Sequence, residues 1–203
     1  MLSRRERHEI GHIPRGRFYG PCSGADLPVA FQLFGDAVDC FTCCDLRYRG
    51  AEATARAAVP SDWSLISRVQ GPDKAAPEKT TWYSGRRPFR PEATIEVWRR
   101  PDGSEAIVEL RRDLAQDVLV EHFAPASISA FMHVNDGTGE GGSDLWFLGS
   151  PGEGGCDPDR ANRFLPELAC RLAHGAVVVT DGAMADVEFR LDVAFERAGR
   201  RWE

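Results

Sequence analysis

Acidic and amide side chains follow several of the strands that the sequence predicts, at the point where each strand ends. They are Asp45, Asp113, Asn135, Asp136 and Asp181. In open α/β sheets, ligands bind outside the carboxyl ends of the strands, where carboxylates and amides can accept hydrogen bonds. A polar residue after a single strand also fits a plain turn. Its recurrence at several strand ends favours a shared ligand site.

A glycine-containing loop, GPCSGAD, joins the first predicted strand (17–21) to a helix. Asp26 can cap that helix, and Pro28 is tolerated within its first turn. Apolar residues recur at helical spacing from Leu27 to Phe34, and Gly35 can end the helix. The next run, residues 38–44, is apolar on both faces and predicts a buried strand that ends at Asp45.

Later segments repeat the same alternation. Residues 94–99 and 106–111 predict a hairpin around a Pro-Asp-Gly turn. A short helix and a buried strand at 128–134 follow. The apolar positions 164, 165, 168, 169 and 172 then predict a helix that opens at Asp157-Pro158 and ends at Gly175. A strand at 176–180 completes this step.

Strands that alternate with helices predict a three-layer Rossmann-like α/β fold, with a mostly parallel sheet and helices on both faces. The expected organisation is an N-terminal arm at 1–16 and a single domain at 17–203, closed by antiparallel terminal strands. Residues 46–92 are too long for a simple connection and predict an insertion, lid or cap between the second and third core strands. Within it, residues 61–69 fit either a strand or a short helical turn.

Composition narrows the class of protein. A hydrophobic content of 42% and a charged content of 28% are typical of soluble globular domains. The net charge of -6 argues against a nucleic-acid or membrane-surface binder. No apolar run is long enough to span a membrane, and the basic N-terminus lacks a signal-peptide core. We therefore expect a cytoplasmic protein.

The six cysteines are expected to be reduced and mostly buried. They are Cys22, Cys40, Cys43, Cys44, Cys156 and Cys170. No second C-x2-C pair is present to complete a zinc site, and the acids at 136, 140 and 144 lack the spacing of a calcium loop. No metal is expected.

His133 within its apolar strand fits a core histidine better than a catalytic base.

With these motifs, the chain resembles the class I S-adenosylmethionine-dependent methyltransferases. The loop Gly20 to Asp26, the acid after VDCFTCC, and the segments RRDLAQDVL, ISAFMHVND and RLAHGAVVVTDG correspond in order to motifs of that family. The resemblance covers most of the chain. It departs from the family in the wider glycine spacing of the first loop, in the long insertion, and in lacking an N-P-P-Y-like motif.

The resemblance implies a cofactor, S-adenosylmethionine, and roles for particular residues. Asp45 would hold the ribose hydroxyls, and Asp113 would lie by the adenine. Asn135 and Asp136 would face the methyl group and position an acceptor, either a small molecule or a protein. The first loop would bind the cofactor through Gly20, Cys22, Ser23, Gly24 and Asp26.

Two other interpretations arise from the sequence. The spacing of Gly137, Gly139 and Gly142 matches a dinucleotide fingerprint, but more glycines follow where that motif needs a helix.

A non-catalytic binding or interaction protein on the same fold is the alternative function, with an aromatic and arginine-rich insertion as its surface. The aromatic residues are Trp63, Trp82, Tyr83, Phe89 and Trp98, and the arginines are Arg86, Arg87, Arg90, Arg99 and Arg100. These aromatic residues could equally anchor the insertion to the domain.

Overall fold

The structure, a computed structural model, describes residues 15–24, 26–46, 48, 58–72, 77–80, 88–133 and 158–180. This part of the chain forms nine strands and three helices. In order they are β1 (Gly16–Pro21), α1 (Leu27–Phe34), β2 (Val38–Cys44), β3 (Ser64–Pro72), β4 (Lys79–Thr80), β5 (Pro88–Phe89), β6 (Glu92–Arg99), β7 (Glu105–Arg112), α2 (Ala115–His122), β8 (Ile128–His133), α3 (Pro158–Arg171) and β9 (Leu172–Thr180).

Seven of the strands form one sheet in the order β3-β6-β7-β2-β1-β8-β9, and β4 and β5 pair separately. The five strands from β7 to β9 in this order run parallel to one another. β6 and β3 extend the sheet beyond β7 with antiparallel pairing. The fold is therefore mixed α/β with a mostly parallel sheet, as the alternation of elements predicts.

The central strands are buried because their side chains are apolar on both faces. Phe18 and Tyr19 are adjacent in β1 and point to opposite faces, yet both are inaccessible to solvent. All six residues of β8 are buried. Such strands need cover on each face, and separate groups of helical side chains provide it.

One core contains the apolar face of α1. Leu27, Ala30, Phe31 and Phe34 pack with Phe18 and with other sheet residues. Spacings of three and four residues place these side chains on one stripe of the helix. Aromatic rings dominate this core.

The other core lies between the sheet and the two remaining helices. Val118 and Leu119 of α2, with Phe164 and Leu168 of α3, belong to one cluster with Tyr19. Because Tyr19 and Phe18 point to opposite faces, the two clusters lie on opposite sides of the sheet.

The predicted hairpin and part of the predicted insertion extend the sheet. β6 and β7 pair over their full length, as expected for the segments 94–99 and 106–111. In the turn, Asp102 accepts hydrogen bonds from the backbone and hydroxyl of Ser104 at 2.9 and 2.7 Å. The segment at 61–69 begins with a turn, in which the N–H of Trp63 donates to the carbonyl of Pro60 at 3.0 Å, and continues as the strand β3. β3 pairs with β6 and forms an edge of the sheet.

The predicted boundary between the last helix and strand is wrong. The helix ends at Arg171 and β9 begins at Leu172, so Gly175 lies within the strand with a φ of 71°. Leu172 continues the helical spacing of apolar residues, but it pairs with Ile128 of β8. The pairing shifts register between Ile128 and Ala130, which accommodates the extra residues as a bulge.

Arg17 ties β1 to the end of α2. Its guanidinium donates to the carbonyl of His122 at 2.6 Å and to Thr42 at 3.1 Å, and it lies 3.6 Å from Glu109. The same group stacks on the ring of Phe123 at 4.4 Å from its centroid. A cation here also complements the partial negative charge at the helix C-terminus.

The stability of the fold is expected to fall below neutral pH through His122. Burial and the charge of Arg111 hold its pKa below the ordinary value, with Arg17 adding to the shift and Glu109 and Asp113 opposing it. The neutral ring is therefore favoured in the folded state. The unfolded chain takes up the proton first as pH falls through about 6.5, so stability is lost from there down to the folded pKa.

The variant His122→Gln should lose less stability than the wild type between pH 7.5 and pH 5.5. Urea unfolding at both pH values measures the difference. Equal losses in the two proteins would show that His122 has no part in the pH dependence.

Candidate functional site

The loop after β1 is closed onto the end of β2. The backbone N–H of Ser23 donates to the carbonyl of Cys44 at 3.2 Å, and the Ser23 hydroxyl donates to the carbonyl of Gly20. Cys22 and Gly24 have φ values of 49° and 39°, so the chain turns sharply on either side of Ser23. These bonds fix the predicted cofactor loop against the neighbouring strand.

Asp45 links the end of β2 to this loop. Its carboxylate accepts the N–H of Gly24 at 3.0 Å. Its backbone N–H donates to the carbonyl of Arg111 at 3.0 Å, and its carbonyl accepts the N–H of Tyr48 at 3.2 Å. The structure thus brings together Gly24 and Asp45, two residues that the sequence assigns to one site.

The two loop glycines have different surroundings. A Cβ at Gly20 would lie 2.8 Å from the ring of Phe18 and 2.9 Å from the hydroxyl of Ser23. The protein's own core therefore requires glycine there. A Cβ at Gly24 would make only an ordinary contact with Asp45, but its positive φ disfavours other residues. Gly24 is therefore the loop glycine that lies beside Asp45, the residue predicted to bind the ribose.

Asp26 stands at the N-cap of α1 but does not cap it through its side chain. Its backbone takes part in the turn: its N–H donates to the carbonyl of Ser23 at 2.7 Å, and its carbonyl accepts the N–H of Val29 at 3.0 Å. The sequence interpretation of a side-chain cap is therefore wrong, although the helix begins where it was expected.

Asp113 is buried at the end of β7, with 7% of its side chain exposed. It accepts the N–H of Leu114 at 2.7 Å, and Lys79 of β4 lies 3.0 Å from its carboxylate. Burial raises the pKa of Asp113 above its ordinary value, although Lys79 opposes that shift. The sequence does not single out Lys79, because the polar segment around it has no regular pattern.

The positions predicted to face the methyl group, Asn135 and Asp136, lie outside the described residues. So does the glycine-rich stretch that begins at Gly137. β8 ends at His133, which is buried as expected for a core histidine.

The two thiols at the end of β2 are not activated. Burial raises the pKa of Cys44 to about 12 and raises that of Cys43 further. Neither is ionised near neutral pH, so neither is a nucleophile. The described cysteines form no disulfide with one another, and only Cys43 and Cys44 are fully buried. Cys22 and Cys40 are half-buried and Cys170 is exposed, so the expectation that most cysteines are buried is wrong for the described residues. Cys156 lies outside the described residues.

The described aromatic residues of the proposed interaction surface are buried instead. Trp63, Phe89 and Trp98 are each at most 8% exposed. Trp63 packs on Phe31 of α1, and the guanidinium of Arg100 lies 5.0 Å from its ring centroid. Their role is to anchor the insertion and the hairpin to the core, which leaves the interaction hypothesis without its described aromatic side chains. Trp82 and Tyr83, with Arg86 and Arg87, lie outside the described residues.

A cavity of about 210 Å³ lies between α2 and α3. Its lining includes Leu119, Val120 and Phe164, with carboxylates among the remaining residues. One of these, Glu167, is already paired with Arg171. No residue of the first loop lines this cavity, and neither does Asp45.

The chain was compared with protein-family models, with curated proteins and with solved structures, and none of these comparisons gave a match. Within the described ranges, no helix combines the length and apolar character needed to cross a bilayer. The same ranges contain no group of three or more His, Cys, Asp or Glu side chains that could hold a metal ion.

Proposed function

We propose that this chain is a three-layer Rossmann-like domain that binds S-adenosylmethionine at the carboxyl ends of β1 and β2 and transfers its methyl group to an acceptor. The observation that carries the proposal is the bond between Gly24 and Asp45. It joins the ends of two adjacent parallel strands at the centre of the sheet. A loop glycine and a carboxylate at these two positions form the minimal cradle of a nucleoside site.

The strand order supports a ligand at this edge. From β1 the chain leads to β2 and later to β7 on one side, whereas β8 and β9 lie on the other side of β1. The winding direction therefore reverses next to β1. In open parallel sheets such a reversal leaves a crevice outside the carboxyl ends, and ligands bind there. The two cores on opposite faces of the sheet agree with a three-layer arrangement.

Asp45 has the chemistry that a ribose requires. A carboxylate offers about four lone-pair sites, so it can accept two ribose hydroxyls while it also accepts the N–H of Gly24. That N–H fixes the orientation of the carboxylate before the ligand arrives. Preorganisation of this kind lowers the entropy cost of binding.

When bound, S-adenosylmethionine would supply an electrophilic methyl on its sulfonium, and the acceptor would lose a proton as it takes up that methyl. The contribution of this chain would be to hold the two reactants in line and close together. The resemblance assigns positioning of the acceptor to Asn135 and Asp136, which follow β8. The carboxyl end of β8 lies beside that of β1, because the two strands are parallel neighbours.

Titration calorimetry with S-adenosylmethionine and with S-adenosylhomocysteine tests the proposal. The wild-type protein should bind both, and Asp45→Ala should weaken binding about 10- to 100-fold. This range follows from about 1.5–3 kcal/mol for hydrogen bonds to a charged group, at 1.4 kcal/mol for each tenfold change. Asp45→Asn keeps an acceptor for Gly24 and should also bind more weakly than the wild type.

Asp36→Ala is the matched control, since Asp36 is an exposed aspartate before the amino end of β2. It should bind like the wild type. Absence of heat with the folded wild-type protein at high micromolar ligand would refute cofactor binding. Wild-type affinity in Asp45→Ala would refute the ribose assignment alone.

A further inference from the structure

Lys79 lies among three carboxylates at the end of β7 and on α2. Its Nζ is 3.0 Å from Asp113, 3.1 Å from Asp117 and 3.5 Å from Glu121. The lysine side chain is only 10% exposed. Burial lowers the pKa of Lys79, but the hydrogen bond to Asp113 and the charges of Asp113 and Asp117 outweigh it, so the pKa lies above its ordinary value. The lysine therefore stays charged and compensates the acids around it.

The residue before Asp113 holds the other strand of the same small sheet. Arg112 lies over the ring of Phe89 in β5, 5.6 Å from its centroid, and pairs with Glu92 at 3.0 Å. Phe89 is directly opposite Lys79 in the β4–β5 pairing. Arg112 also donates to the carbonyl of Leu46, the neighbour of Asp45, at 3.4 Å. Two successive residues at the end of β7 thus fasten both strands of the small sheet beside the proposed site.

We propose that Lys79 is a latch that holds the β4–β5 sheet over the carboxyl end of β7 and controls ligand access to Asp113. This inference rests on the proposed function, because it concerns the same site. Lys79 lies 3.0 Å from both carboxylate oxygens of Asp113, one of which also accepts the N–H of Leu114, and only 7% of the side chain is exposed. A ligand therefore reaches this carboxylate only after the lysine moves. Release of Lys79 leaves three neighbouring carboxylates without their cation, which favours the closed state in the absence of ligand.

Hydrogen exchange without ligand tests the latch itself. In Lys79→Met, amides of residues 77–80 and 88–92 should exchange at least about tenfold faster than in the wild type, which corresponds to loss of about 1.4 kcal/mol. Lys79→Arg should restore most of the protection. Arg99→Met removes an exposed pair with Glu105 and is the control, with exchange in 77–80 and 88–92 unchanged. Unchanged exchange in folded Lys79→Met would overturn the latch.

Asp117→Asn provides a second measurement that leaves Lys79 in place, and it remains decisive if Lys79→Met fails to fold. Asp117 lies on α2 with its carboxylate 3.1 Å from the Nζ of Lys79, so the variant removes one of the three charges that hold the lysine. Exchange in 77–80 and 88–92 should therefore rise relative to the wild type, and more than exchange in 105–112. An equal response of the two segments would contradict an electrostatic latch.

Calorimetry with S-adenosylmethionine then tests control of access. Lys79→Met should bind more tightly than the wild type, because closure no longer competes with the ligand. Faster exchange with unchanged affinity would overturn gating. Faster exchange with no binding in either protein would refute the proposed function, and gating with it. Unchanged exchange with normal binding would refute the latch alone.

Discussion

Replacement of Arg100 by leucine is expected to destabilise the protein by about 3–5 kcal/mol, because the guanidinium is the charged donor to several main-chain carbonyls and such bonds are worth about 1.5–3 kcal/mol each. Arg100 is buried where the β6–β7 turn meets the end of α1. It donates to the carbonyls of Gly35 at 2.9 Å and Glu105 at 3.1 Å, and also to that of Val38. Leucine would leave the buried carbonyls of Gly35 and Val38 without their donor, and each unsatisfied buried acceptor costs about 1–3 kcal/mol.

Urea unfolding followed by circular dichroism measures the effect of Arg100→Leu. The matched control is Arg99→Leu, because Arg99 is the adjacent residue and is 55% exposed. The control should lie within about 0.5 kcal/mol of the wild type. A loss below about 1 kcal/mol for Arg100→Leu would show that other donors replace the guanidinium, against this account of the turn.

Truncation of Phe41 to alanine is expected to cost about 3–5 kcal/mol, as for other buried phenylalanines. Phe41 is inaccessible to solvent at the centre of β2. Its ring centroid lies 4.7 Å from that of Phe31, 5.6 Å from that of Phe18 and 6.5 Å from that of Trp63. The substitution opens a cavity among these rings, and rigid strand and helix backbones limit its collapse.

The same unfolding measurement tests Phe41→Ala, with tryptophan fluorescence as a second signal because Trp63 is a neighbour. Phe41→Leu should cost clearly less, since it keeps most of the apolar volume. Val69→Ala is the surface control, as Val69 is 70% exposed on the edge strand. If Phe41→Ala and Val69→Ala had equal effects, the ring cluster would not be a central part of the core.

Most elements could be predicted because their signals are local. The β1–α1–β2 step follows from the spacing of Leu27, Ala30, Phe31 and Phe34, and the observed helix covers the expected residues. The β6–β7 hairpin follows from alternation around its turn. The boundary between α3 and β9 could not be predicted from local signals, because it does not lie at Gly175. The apolar spacing of a helix continues to Leu172, whereas pairing with Ile128, distant in sequence, makes Leu172 the first residue of a strand.

Some contacts of the candidate site could be predicted from the sequence, and others could not. The contact between Gly24 and Asp45 was predictable, because both follow neighbouring strands of a parallel sheet. The contact between Asp113 and Lys79 was not, since it joins a regular strand to an irregular segment through one long side chain. Arg100, assigned from the sequence to an interaction surface, instead bonds buried carbonyls that only the folded structure brings together.

Chemical-shift mapping shows where on the protein the nucleoside ligand binds. Amide resonances of the ¹⁵N-labelled wild-type protein would be followed during titration with S-adenosylhomocysteine, the stable product of methyl transfer. We predict that the largest shifts occur at Ser23, Gly24 and Asp45, with little change at Val120 in the cavity between α2 and α3. Shifts confined to α2 and α3, or no shifts at saturating ligand, would contradict a nucleoside site at the ends of β1 and β2.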